Sequence, residues 1–139
     1  MEHRIELVEA PGDAERAAVV APLTAFNAAN GYAPDTRPLA VLLRDGAGEA
    51  VGGLWGKTGY GWMFVEFLSV PETLRGRDFG SALMAKAEAE ARQRGCAGAW
   101  LTTFSFQARA FYEKLGYRVF GELENSPGDN IRIFMRKRL

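Results

Sequence analysis

A short segment that combines glycine with arginine is the stretch of this sequence most informative about chemistry. A strand-like run ends at Pro71, a loop with Arg75-Gly76-Arg77 follows, and a helical pattern begins near Gly80. The first amides of a helix have no intrahelical acceptor, and the helix dipole adds partial positive charge there. Glycine lets an anion approach the backbone closely, and arginine adds full charge. The segment predicts an anion site; the alternative is a helix start that uses glycine only for packing.

A second segment places a tyrosine on the apolar face of a short helix. Apolar residues recur at helical spacing around Tyr112, and Gly116 is typical of a C-terminal cap. The face consists of Ala108, Phe111, Tyr112 and Leu115. From this pattern alone, Tyr112 is either a core residue or a hydroxyl group available for proton transfer.

A single carboxylate lies in an otherwise apolar strand. Glu66 is the only ionisable residue between Trp62 and Val70, and alternation puts it on the face of Phe64 and Leu68. A carboxylate on an apolar face is unusual unless it is paired or used, so Glu66 is a candidate functional residue. The alternative is a carboxylate at the sheet surface that binds water. Trp55 and Trp62 are candidates for a binding pocket beside Glu66, or else for core or dimer surface.

Composition excludes several other chemistries. A single cysteine, Cys96, and a single histidine, His3, leave no intramolecular disulfide and no Cys/His zinc cluster, so no metal is predicted. Cys96 has no histidine nearby and is predicted to be a small buried residue. The 17 Lys+Arg balance 17 Asp+Glu, which argues against a nucleic-acid partner. No apolar run approaches the roughly 20 residues of a membrane span, and no signal peptide is evident, so a cytoplasmic location is expected.

The elements that position these residues follow from periodicity and turn residues. The 139 residues predict one domain, 1–139. It begins with a strand over Arg4–Glu9 and a helix that is capped by Asp13, runs to about Ala29 and buries Leu23 and Phe26. Further strands are predicted at 39–43, 50–56, 62–70, 99–106, 117–122 and 131–137, and further helices at about 80–94 and 107–115. An antiparallel meander before a β-α-β crossover indicates a mixed α/β sheet with helices on its faces.

Both motifs resemble those of the GNAT superfamily of acyl-CoA N-acyltransferases. The family's pyrophosphate loop is Gln/Arg-x-x-Gly-x-Gly/Ala, and this chain has Arg75-Gly76-Arg77-Asp78-Phe79-Gly80. The family helix Phe-Tyr-x-Lys-Leu-Gly-Tyr/Phe is matched by 111–117. The resemblance extends over nearly the whole chain and is strongest from Phe64 to Gly121. It implies the family's fold, in which the two central strands splay apart.

The resemblance also implies a reaction: direct transfer of the acetyl group of acetyl-CoA to a primary amine of a small, cationic molecule. Tyr112 would support the departing thiolate, and Glu66 would take the amine's proton or bind the cationic acceptor. The residues implied to bind the cofactor are Leu68, Ser69, Val70, Arg75, Gly76, Arg77, Asp78, Phe79, Gly80, Ser81 and Gln107. A homodimer through the C-terminal strands is compatible with this assignment.

Asp78 departs from the family pattern. It stands where the first motif glycine belongs, so its carboxylate should repel the cofactor's phosphates. Its β-carbon would also restrict the loop if the backbone there needs a positive φ. Two explanations follow: an enzyme with lowered cofactor affinity, or a non-catalytic acyl-CoA-binding or interaction module. A third reading is an unrelated α/β domain that binds another phosphate ligand.

Overall fold

The computed structural model of the protein describes residues 2–139 and contains two compact units, divided after Pro34. In the first unit, residues 2–12 carry neither helix nor strand, so the predicted strand at Arg4–Glu9 is wrong. Ile5 and Leu7 are fully exposed. Alternation stabilises a strand only when a neighbouring strand supplies hydrogen bonds, and across residues 2–139 no strand pairs with this segment.

Helix α1, Asp13–Ala29, is the only regular element among residues 2–34. Gly12 rather than Asp13 is its N-cap, and the Gly12 amide donates to Glu15 Oε1 at 3.0 Å. The expected burial of two apolar residues is also wrong, because Leu23 is 59% and Phe26 66% exposed. The apolar spacing predicted the helix correctly, but it did not predict the exposure of the helix's apolar side chains.

The second unit, residues 35–139, is built on a six-stranded sheet with strand order β1-β2-β3-β4-β6-β5. The strands are β1 Arg37–Arg44, β2 Ala50–Gly59, β3 Trp62–Ser69, β4 Gly98–Phe104, β5 Arg118–Leu123 and β6 Arg132–Arg138. The β3–β4 pair is parallel and all others are antiparallel. Helix α2 is Phe79–Gln93, helix α3 is Arg109–Lys114, and a 3-10 turn spans Glu72–Leu74. The predicted meander followed by a crossover in a mixed α/β sheet is confirmed.

The core of this unit lies between α2 and one face of the sheet. Alternate residues of the strands point into it, because successive side chains of a strand point to opposite faces. Its fully buried members include Met63, Leu101 and Met135 from the strands and Met84 and Ala87 from α2. Cys96 is buried there as a free thiol, as the sequence predicts. This packing fixes α2 across β1, β2, β3 and β4.

The two central strands separate at one end of their pairing. β3 and β4 are paired only from Trp62 to Val65, opposite Gly98 to Leu101. At this point β3 also carries a bulge, because Trp55 pairs with Phe67 while Gly56 pairs with Val65. Glu66 is the extra residue. The predicted shared face of Glu66 and Leu68 is therefore wrong: Leu68 packs against the core, and Glu66 is exposed.

Candidate active site

The gap between the separated strands is the mouth of a cavity of about 1030 Å³. Its walls come from β3, β4, the loop before α2, α3 and the start of β6. Twelve residues predicted from sequence line it: Glu66, Leu68, Ser69, Val70, Arg75, Gly76, Asp78, Phe79, Gly80, Ser81, Gln107 and Tyr112. Three predicted residues, Arg77, Trp55 and Trp62, do not line it. The two sequence motifs, residues 75–80 and 111–117, are separate in sequence and meet at one cavity.

One end of the cavity carries the start of α2. The first helical hydrogen bond runs from the Ala82 amide to the Asp78 carbonyl at 3.0 Å, so the amides of 79–81 have no intrahelical acceptor. Arg75 is held beside them by its Nε, which donates to the Val70 carbonyl at 3.3 Å. Free amides, a helix dipole and a guanidinium form a site that attracts phosphate groups.

Asp78 caps this helix start in an uncommon conformation. Its φ of 62° and ψ of 16° lie in the left-handed region, which glycine adopts without strain and other residues adopt at a cost in free energy. Its side chain is exposed and makes no capping hydrogen bond. Throughout residues 2–139, no ion pair joins its carboxylate to Arg75 or Arg77; Arg77 instead lies over the Phe79 ring, 5.4 Å from the centroid. Asp78 therefore has no ion-pair partner among the described residues at the anion site.

The two glycines of the loop serve different purposes. Gly76 has a φ of +78°, which permits the turn, and a β-carbon there would meet open space. At Gly80 a β-carbon would lie 3.1 Å from the Phe111 ring. The packing alternative thus describes Gly80, which lets α2 approach α3 closely, while Gly76 leaves the loop backbone accessible.

The backbone of β3 beyond Val65 is paired on one side only. β2 continues along it to Ser69, which pairs with Gly53, but β4 has already diverged. Its peptide groups on the β4 side consequently face the cavity between the strands. An extended ligand arm can add to this free strand edge through main-chain hydrogen bonds.

Tyr112 lies on α3 with its ring packed edge-on against Phe111 and Tyr117. It is 8% exposed, and its hydroxyl makes no hydrogen bond to any other part of the described chain. Burial raises the pKa of Tyr112 above its usual value, so the hydroxyl stays protonated at neutral pH. It is available as a proton or hydrogen-bond donor at the cavity wall.

A buried carboxylate that sequence analysis missed accepts a hydrogen bond from Tyr117, whose ring packs against Tyr112. Glu88 of α2 accepts hydrogen bonds from the Tyr117 hydroxyl at 2.8 Å and from Lys137 Nζ at 2.7 Å. Burial, and next the negative charge of Glu88, raise the pKa of Tyr117 strongly. The signal was present in the sequence, since Glu88 falls on the same helical face as Met84 and Ala91.

Gln107 is partly engaged within the protein. Its Oε1 accepts from the Phe104 amide at 3.0 Å and lies 3.3 Å from Thr103 Oγ1, closing the turn after β4. Its side-chain NH₂ group makes no hydrogen bond to the residues the structure describes and remains available to a ligand. Gln107 thus keeps a hydrogen-bond donor available at the cavity.

The aromatic lining differs from the one expected. Trp55 is 53% exposed on β2, and Trp62 lies under Arg138, 5.7 Å from guanidinium to ring centroid. Phe67, Phe104 and Phe106 line the cavity instead, with Arg132 and Thr102 beside them. Sequence analysis did not select these residues, because their position depends on where β3 and β4 separate.

Two further properties bear on the chemistry. Over residues 2–139, no group of three or more His, Cys, Asp or Glu side chains is arranged to hold a metal ion. Within the same range, no helix has the length and apolar character needed to cross a membrane. Cys96 lies outside the cavity, and burial raises its pKa, which disfavours the reactive thiolate.

Known proteins are similar to this chain in sequence and in architecture. The pattern of the acetyltransferase (GNAT) family matches residues 7–117. An acetyltransferase of Agrobacterium fabrum is 40% identical over 114 residues, covering 82% of each chain. Blasticidin-S acetyltransferase of Streptomyces morookaense is 39% identical over 97 residues, covering 67% of this chain and 71% of its own.

Solved structures of acetyltransferases are similar to this chain in fold. A crystal structure from Agrobacterium tumefaciens, classed as an acetyltransferase, has a TM-score of 0.90 at 34% identity, covering 99% of this chain and 100% of its own. The structure of an aminoglycoside 6'-N-acetyltransferase in complex with coenzyme A has a TM-score of 0.65 at 25% identity, covering 73% of this chain and 72% of its own.

Proposed function

Because this chain belongs to the acetyltransferase (GNAT) family and is an acetyltransferase, we propose that it acetylates the primary amine of a small, cationic molecule. One observation carries the proposal: Glu66 and Tyr112 line the same cavity as the helix start of α2. A carboxylate, a protonated phenol and an anion site are the three groups needed for acetyl transfer from coenzyme A to an amine.

The cavity fits the cofactor. The free amides of 79–81 and the Arg75 guanidinium would hold the pyrophosphate, and the unpaired edge of Leu68–Val70 would pair with the pantetheine arm. Gln107 would contribute its side-chain NH₂ group to the same arm. When bound, acetyl-CoA supplies the acetyl thioester that is transferred.

The residues around the thioester divide the proton transfers between them. Glu66, directly or through water, accepts the proton that the amine loses as its C–N bond forms. Backbone amides near Leu68–Val70 would hydrogen-bond the thioester carbonyl oxygen and stabilise the charge that develops there. Tyr112 donates a hydrogen bond or proton to sulfur as the C–S bond breaks. A tyrosine hydroxyl is already protonated at neutral pH, burial favours that state further at Tyr112, and this role requires it.

The acceptor class is inferred from charge and from relatives. Glu66 is an exposed carboxylate on the cavity wall, and it favours a cationic acceptor. Two similar proteins are a blasticidin-S acetyltransferase and an aminoglycoside 6'-N-acetyltransferase, whose names describe small amine-bearing molecules. Both support a small-molecule acceptor over a protein or nucleic acid.

Three broader features belong to the same proposal. The family match over 7–117 supports a single acetyltransferase domain over residues 1–139. Use of acetyl-CoA supports action in the cytoplasm.

β5 forms one edge of the sheet and exposes Phe120 and Leu123, which supports a homodimer through the C-terminal strands. Light scattering should give twice the monomer mass of 15.2 kDa, and a Phe120→Lys variant should give the monomer mass.

Glu66→Gln tests the acceptor assignment. Steady-state rates with a panel of monoamines and polyamines should fall about 10- to 1,000-fold, because the variant cannot accept the proton, while the Kd of acetyl-CoA stays constant. Glu72→Gln is the matched control, since Glu72 is exposed and does not line the cavity. Unchanged kinetics in Glu66→Gln would remove both roles assigned to Glu66.

A further inference from the structure

Arg132 is a charged group on the cavity wall that the proposed reaction does not use. It is the first residue of β6, lies opposite Phe104 of β4, and is half-buried. Its Nε and Nη2 both donate to Thr102 Oγ1, at 3.3 and 3.0 Å, and its guanidinium lies 5.3 Å from the centre of the Phe104 ring. These contacts hold the guanidinium in place at the cavity.

The guanidinium has no anionic partner in the described chain. Across residues 2–139, no Asp or Glu oxygen lies within 4.0 Å of an Arg132 nitrogen. Its Nη1 makes no hydrogen bond, and Thr102, a neutral acceptor, satisfies only part of its donor capacity. A half-buried arginine with free donors favours a carboxylate or phosphate oxygen.

Glu66 and Arg132 give the cavity two opposite charges on different strands. In the sheet, β3 and β6 flank β4 on either side, so their axes are about 10 Å apart where the spacing is regular. The separation of β3 from β4 widens this distance at Glu66. The cavity therefore carries a negative side chain on β3 and a positive side chain on β6, with β4 between these strands.

We propose that Arg132 binds a carboxylate of the acceptor, which refines the acceptor of the proposed function: its cationic group is the reacting amine, and a carboxylate well separated from that amine makes the molecule amino acid-like. The proposal rests on the proposed function, since it assigns the amine to the Glu66 side of the same cavity. Thr102 acts as a positioning residue, because it holds the guanidinium that contacts the substrate.

The test compares ω-amino acids of increasing chain length with their primary amides, which have the same amine and no negative charge. Binding is measured by calorimetry in the presence of saturating coenzyme A, so that no turnover is needed. The wild-type protein should bind the best acid about 10- to 100-fold more tightly than its amide, as expected for hydrogen bonds to a charged group.

Arg132→Gln should reduce this preference to about two-fold or less while binding of the amide stays unchanged. Thr102→Val should reduce it in part, because the guanidinium loses its anchor but keeps its charge. Arg136→Gln is the matched control: Arg136 lies on the same strand over the Phe120 ring, is exposed, and does not line the cavity. Its acid-to-amide preference should equal that of the wild type.

The outcomes separate this inference from the proposed reaction. Equal or absent binding of acid and amide by the wild type overturns the carboxylate site, as does equal loss of both ligands in Arg132→Gln. If the preference depends on Arg132 but acetyl-CoA yields no acetylated probe, the carboxylate site stands and acetylation of such amines is refuted.

Discussion

Asp78 is the residue whose replacement should improve cofactor binding. Its carboxylate is exposed, has no ion-pair partner in the described residues, and sits at the helix start that would hold the pyrophosphate. Taking a separation of about 7 Å from each of two phosphate charges in water, Coulomb's law gives roughly 1.2 kcal/mol of repulsion. Screening leaves about 1 kcal/mol at 0.01 M salt and about 0.5 kcal/mol at 0.15 M.

Asp78→Asn and Asp78→Gly separate the charge from the backbone. Asparagine removes the charge and tolerates the left-handed conformation, so it should tighten acetyl-CoA binding about five-fold at 0.01 M salt and about two-fold at 0.15 M. Glycine should tighten it at least as much. Relief of about 1 kcal/mol of backbone strain is largely offset by the entropy that glycine gains on unfolding, so the melting temperature should change little.

Calorimetric titration with acetyl-CoA at the two salt concentrations measures these effects. The gain from Asp78→Asn must shrink as salt rises, because the repulsion it removes is screened. Unchanged or weaker binding in both variants, or a gain independent of salt, would refute the electrostatic reasoning. Absent binding in the wild type that Asp78→Gly restores would instead show a loop that has lost its cofactor.

Three further changes test other parts of the site. Tyr112→Phe should lower kcat about 10- to 1,000-fold with the Kd of acetyl-CoA unchanged. Burial raises the pKa of Tyr112 above the ordinary tyrosine value of about 10, so any alkaline loss of wild-type kcat that depends on this hydroxyl should have its midpoint above pH 10; a Tyr112-dependent midpoint below about pH 10 would contradict this. Gly80→Ala should weaken acetyl-CoA binding, since the new methyl group lies 3.1 Å from the Phe111 ring and the ring must move. The helix propensity that alanine gains offsets this contact, so the free energy of unfolding should change by less than about 1 kcal/mol. Unchanged acetyl-CoA binding would show that Phe111 moves without disturbing the site. Glu88→Leu should cost about 3 kcal/mol of unfolding free energy, because it leaves the buried Tyr117 hydroxyl unpaired and removes the partner of the half-buried Lys137. Glu113→Gln, in an exposed pair, should cost less than about 0.5 kcal/mol. Equal losses in the two variants would contradict a stabilising role for Glu88.

The sheet and helices of residues 35–139 were largely predictable from the sequence. Turn residues and periodicity located six strands and two helices, because each has a clear apolar face and a strong stop such as Pro71 or Gly116. The strand at Arg4–Glu9 was not correct, since alternation cannot reveal whether a neighbouring strand exists. The predicted burial of Leu23 and Phe26 was also wrong, since helical spacing identifies an apolar face but not a surface that covers it.

The site was predictable where it is local in sequence and not where it is tertiary. The loop of 75–81 and the helix of Tyr112 were found from motifs, and the structure brings them together at one cavity. The bulge at Glu66 changed which residues share its face, and alternation has no means of locating an inserted residue. Arg132 and Glu88 act through partners 30 and 29 positions away, so no local pattern identifies those partners.

The most direct test of the central claim is amine-dependent release of coenzyme A thiol from acetyl-CoA, with the mass of the acetylated amine determined in the same reaction. Thiol release should require a small cationic amine, and one acetyl group should be added to that amine. The rate should be about 10- to 1,000-fold lower in Tyr112→Phe despite equal acetyl-CoA binding. Tight acetyl-CoA binding with no thiol release for any amine of the panel would contradict it and favour a non-catalytic acyl-CoA-binding module.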